Sequence, residues 1–134
     1  MKEHLDFKPV EGVQVAITLK MNDANEEEWF VQIINKNDFG IDNVLIVTKG
    51  YGTIDGEEKK TSILRHMLEH VPAQTASIIE PIQPELFQLS NEFWVSYYIG
   101  RQIYDKKFVF VAGSVMPKNL TEVPYTDLKG VLHS

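Results

Sequence analysis

The residues whose types and spacing come nearest to chemistry are His66-Met67-Leu68-Glu69-His70. They fit H-x-x-E-H, a zinc-binding spacing. On a helix, histidines at i and i+4 leave one face and can share a metal, while the glutamate polarises a bound water. Glu80, Glu85 and Glu92 are the candidates for a third ligand. Such a centre would support metal-dependent hydrolysis, with His66 and His70 as ligands and Glu69 as base. The structural alternative is that Arg65, His66, Glu69 and His70 form the solvated side of an amphipathic segment. The alternative is preferred, because the rest of the chain reads as strands and offers no second helix to bring a third ligand. No cofactor and no metal are therefore expected.

Other local patterns fail on their own chemistry. Asn35-Lys36-Asn37-Asp38-Phe39-Gly40 has Phe39 where a calcium loop needs an oxygen ligand, and Ile46 where it needs the closing glutamate. Gly50-Tyr51-Gly52 lacks the spacing of a phosphate loop and reads as a bulge or turn that displays Tyr51. None of Ser62, Ser77, Ser90, Ser96 or Ser114 sits in a nucleophile elbow. No catalytic residues are assigned, and the chain reads more as a binding protein than as an enzyme.

The aromatic residues carry more weight than the histidines. Trp94, Tyr98 and Tyr104 cluster along the last hairpin. Alternation puts Phe93, Val95, Tyr97 and Ile99 towards a core, and Trp94, Ser96 and Tyr98 outward. An outward Trp and Tyr on a sheet face add contact area and a polar tip at low entropic cost. Trp94, Tyr98, Tyr104 and Tyr51 are thus the expected partner-binding residues. The competing expectation is that the C-terminal segment covers this face.

Bulk composition limits the remaining classes. The 134 residues carry 13 basic and 19 acidic side chains, a formal charge of −6, and no cysteine. Without cysteine there is no disulfide scaffold, thiolate zinc finger, iron–sulfur centre or thiol nucleophile. An acidic chain whose basic residues come in pairs at most, Lys59-Lys60 and Lys106-Lys107, argues against nucleic-acid binding. Apolar runs fall far short of the ~18 residues that span a bilayer, and Met1 to Phe7 has no apolar leader core. The expectation is a soluble, cytoplasmic protein away from membranes.

The elements that must position these residues are short strands. Val13, Val15, Ile17, Leu19 and Met21 alternate with Gln14, Ala16, Thr18 and Lys20. Period two with β-branched residues is a half-buried strand. Trp29 to Asn35 is apolar on both faces, as in a central strand. Further candidates are Val44 to Val47, Thr75 to Ile82, Phe93 to Ile99 and Phe108 to Val111, and Asp55-Gly56 marks a hairpin turn. The tight turn of the last hairpin falls at Gly100-Arg101 or at Asp105-Lys106. Ile63, Leu64, Met67, Leu68 and Val71 instead follow helical spacing, with Ser62 to cap and Pro72 to end a short helix near 62–70.

The sum is one all-β domain over 1–134, an immunoglobulin-like β-sandwich of about seven strands. Residues 116–134, broken by Pro117 and Pro124, are expected as an irregular arm. The expected function is a non-catalytic interaction module that binds a protein partner, or a copy of itself, through a sheet face or edge. The alternatives are the metal-dependent hydrolase and a small-ligand or carbohydrate site on Tyr51, Trp94 and Tyr98.

Overall fold

The computed structural model describes residues 7, 8 and 10–134; most of the Met1 to Phe7 stretch lies outside the described residues. Ten strands form among them: β1 (Val13–Met21), β2 (Glu27–Asn35), β3 (Ile41–Ile54), β4 (Glu57–Lys60), β5 (Leu64–Val71), β6 (Thr75–Pro81), β7 (Ser90–Ile99), β8 (Gln102–Phe110), β9 (Thr121–Glu122) and β10 (Lys129–His133). Among the described residues the helical content is two short 3-10 turns, Pro84–Gln88 and Pro117–Asn119. One antiparallel sheet runs β6-β2-β1-β10-β9 and the other runs β4-β3-β7-β8, with β5 also paired to β3. The expected all-β sandwich is present, with more strands than the seven or so anticipated from turn spacing.

Alternation explains the core directly. β1 and β2 pair from Val13↔Asn35 to Met21↔Glu27 without a slip. That register points Val15, Ile17, Val31 and Ile33 inward, each fully buried. Val44, Ile46, Phe93, Val95, Tyr97 and Phe108 meet them from the second sheet. Burial of each large apolar side chain is worth about 1.5–3 kcal/mol, so this interior holds the sheets together.

The segment expected as a helix near 62–70 is the strand β5. It pairs with β3 from Val71↔Ile41 to Leu64↔Thr48. An isolated helix of two turns is marginal, and β3 supplies a ready ladder, so pairing overrides the local periodicity. Leu68 packs on the core, whereas Arg65, Met67 and Glu69 are exposed. Gly50-Tyr51-Gly52 is likewise no turn. It continues β3, with Tyr51 opposite Lys60 on β4 and Ser90 on β7.

The last hairpin turns at Gly100-Arg101, since Ile99 pairs with Gln102 and Gly100 has φ 59°. Asp55-Gly56 is the expected hairpin loop, both residues having positive φ.

The C-terminal arm is more ordered than expected. β10 pairs along β1, Val15↔His133 to Leu19↔Lys129. The bend before it brings Val123 onto Ala16 and Ile34, all three buried. Those two residues lie on the outer side of the β1–β2 sheet. Among the described residues the arm therefore lies on part of the sheet opposite Trp94 and not on the Trp94 face.

Candidate functional site

On a strand, residues i and i+4 are about 13 Å apart, so β5 separates His66 from His70. His66 points between the sheets, where its Nε2 lies 2.6 Å from Glu80 Oε1 on β6. The same carboxylate oxygen accepts from Thr48 Oγ1 at 3.3 Å. His70 Nδ1 instead meets Asp42 Oδ1 at 2.6 Å, at the surface. Its ring lies over Gly40, where a Cβ would come within 2.3 Å of Cε1. The two imidazoles serve two separate carboxylates, and Glu69 is exposed on the side facing away from Glu80. The helical geometry that H-x-x-E-H needs is absent. Among the described residues no group of three or more His, Asp or Glu side chains is placed to hold a metal.

The outer face of the β5-β3-β7-β8 sheet is built differently. Register sets Val47 opposite Trp94 on one side and Arg65 on the other, and Leu45 opposite Ser96 and Met67. Lys107 and Asp105 on β8 stand opposite Trp94 and Ser96. Trp94 is 45% exposed and Met67 58%. Phe7, Leu45, Val47, Trp94, Ile103 and Asp105 line an open depression of about 330 Å³.

Charges hold the aromatic rings of this face in place. The Trp94 indole Nε1–H donates to Asp105 Oδ1. Lys107 Nζ sits 5.1 Å above the Trp94 ring centroid. Glu92, almost wholly buried, lies 3.9 Å from Lys107 and 3.6 Å from Lys49. Lys49 in turn lies 5.9 Å from the Tyr51 ring centre. A row of contacts thus crosses the sheet from Tyr51 through Lys49, Glu92 and Lys107 to Trp94 and Asp105. Each cation–π contact at such a site is worth about 0.5–1 kcal/mol. The row presents Trp94 in a fixed orientation, which lowers the entropy lost when something binds it.

The four expected partner-binding residues do not stay together. Trp94 and Tyr98 lie on the outer face, as alternation predicts. Tyr51 shares that face, four residues along β3 from the Val47–Trp94 row. Tyr104 is a correction. It pairs with Tyr97 and stacks on its ring at 5.3 Å, so it belongs to the core side of the sheet. Leu45, Val47, Met67 and Phe7 were not anticipated, because they join Trp94 only through the register of β3, β5 and the N-terminal segment.

No protein-family model matches this chain, and neither curated proteins nor solved structures give a significant match to it. No helix among the described residues is long and apolar enough to cross a membrane.

Proposed function

We propose that the chain is a non-catalytic interaction module that binds a protein partner through the outer face of the β5-β3-β7-β8 sheet. The carrying observation is the Trp94 face itself. Trp94 and Met67 are exposed, and Trp94 lines an apolar depression with Phe7, Leu45, Val47 and Ile103. Aromatic anchors ringed by charged groups are the usual makings of a binding hot spot.

We read the sandwich as immunoglobulin-like. β6-β2-β1 facing β3-β7-β8 follows the strand order of such domains, with β10 and β9 added beside β1. The cytoplasm suits a chain without cysteine. Neither nucleic acid nor a membrane is proposed as a partner.

The test is cross-linked capture from the source cells at native expression, read by mass spectrometry. One stoichiometric partner is expected, and its recovery should fall at least about tenfold with Trp94→Ala, the loss typical of a hot-spot residue. Capture that Trp94→Ala and Tyr98→Ala leave intact would overturn the reading.

A further inference from the structure

Among the described residues one rim strand of this sandwich is less shielded than the others. β4 is four charged residues, Glu57-Glu58-Lys59-Lys60. β6 carries a register shift against β2 and ends at Pro81. β9 is two residues long. The free side of β8 receives Lys8, whose backbone N–H donates to Ile103 and whose carbonyl accepts from Asp105. These are the recognised ways of blocking strand addition.

β5 has only one of them, charge, and that as one residue of each sign, Arg65 and Glu69. It runs eight residues, Leu64-Arg65-His66-Met67-Leu68-Glu69-His70-Val71, with no proline, glycine or lysine. Among the described residues its backbone pairs with no strand but β3, and only at its end does Val71 O accept from Asn35 Nδ2 of β2. Arg65 and Glu69 are both exposed and neither forms an ion pair among the described residues. Four residues apart on an extended strand, they are too distant to pair with each other.

We propose that β5 is a self-association edge, on which a second copy of this chain adds its own β5 antiparallel about a twofold axis through Met67. That register places Arg65 opposite Glu69 of the partner subunit and Glu69 opposite the partner's Arg65. Met67 meets the partner's Met67 between them. Directly opposed opposite charges stabilise an antiparallel pair and like charges destabilise it. The symmetry doubles each contact, as an isologous interface requires. The two β5-β3-β7-β8 sheets then join into one continuous sheet. The interface uses the backbone edge of β5 and shares only Met67 with the residues that carry the partner-binding reading, so it does not rest on that reading.

The test is the oligomeric state of the purified full chain, by sedimentation or light scattering across a dilution series. Wild type is expected to be a dimer. Arg65→Glu sets a second carboxylate against the partner's Glu69, and Glu69→Arg sets two guanidinium groups together. Each single variant should weaken the dimer at least about tenfold, because two contacts reverse at once. Mixing the two single variants restores complementarity by placing opposite charges across the axis and should give a heterodimer; the double variant R65E/E69R should again self-associate. Circular dichroism checks that each variant is folded. A monomeric wild type, or a dimer indifferent to both single reversals, overturns the proposal. Since only purified chain is used, that result leaves the Trp94 face standing.

Discussion

His66 Nε2 lies 2.6 Å from Glu80 Oε1, so one imidazole ties β5 of one sheet to β6 of the other. The contact sits where both strands are at the rim of their sheets, beside the interior Thr48 hydroxyl. A motif that suggests catalysis in the sequence is here a clasp between layers.

Removing the clasp should cost stability. Glu80→Ala leaves Thr48 and His66 without their shared acceptor and should lower unfolding free energy by about 1–3 kcal/mol. Asp42→Ala, which breaks only the exposed contact to His70, should cost under about 1 kcal/mol. Urea unfolding of the two variants measures the difference. Equal losses would contradict the assignment of His66 to the inter-sheet contact.

Metal should not matter. Because His66 and His70 bond different carboxylates, the melting temperature should not rise with added zinc or fall with a chelator. Differential scanning calorimetry tests both. A zinc-dependent rise abolished by His66→Ala would revive the hydrolase reading.

Tyr97 predicts an alkaline limit. The residue is 1% exposed, and its hydroxyl lies near the Glu11 backbone without a hydrogen bond among the described residues. Burial pushes its pKa from 10.0 up to about 12, and neighbouring Tyr104 adds to the rise. The folded state then keeps a proton that the unfolded state releases, so the unfolded state binds fewer. Stability should be at its plateau below pH 10 and fall as pH climbs towards 12. Tyr97→Phe should flatten that decline, and at neutral pH it should be neutral or stabilising by up to about 1 kcal/mol. Unfolding measured at neutral and alkaline pH checks both parts.

Sheet faces are legible in the sequence wherever one side of a strand is buried. Val13 to Met21 alternates because β1 turns one side to the main core, although Gln14, Ala16 and Thr18 on its other side are buried as well, and β1 occupies those same residues. Phe93 to Ile99 alternates likewise, which is how Trp94 and Tyr98 can be placed outward. β5 is not legible. As an edge strand it exposes Leu64 and Met67 on opposite sides, and its apolar residues fall by accident at helical spacing. Tyr104 escapes for another reason: its face depends on which turn closes the hairpin, and Gly100-Arg101 and Asp105-Lys106 both carry turn-forming residues. The depression around Trp94 is a product of register across three strands, so no single stretch of sequence contains it.

The central claim is that a partner seats on the Trp94 face, and site-specific photo-crosslinking tests it most directly. A photoreactive residue replaces Leu45, which lines the depression, and a control replaces Ile78, 56% exposed and on the other sheet. The account predicts a discrete adduct with one protein from position 45, lost with Trp94→Ala, and none from position 78. Adducts from both positions alike, or from position 78 alone, would contradict it.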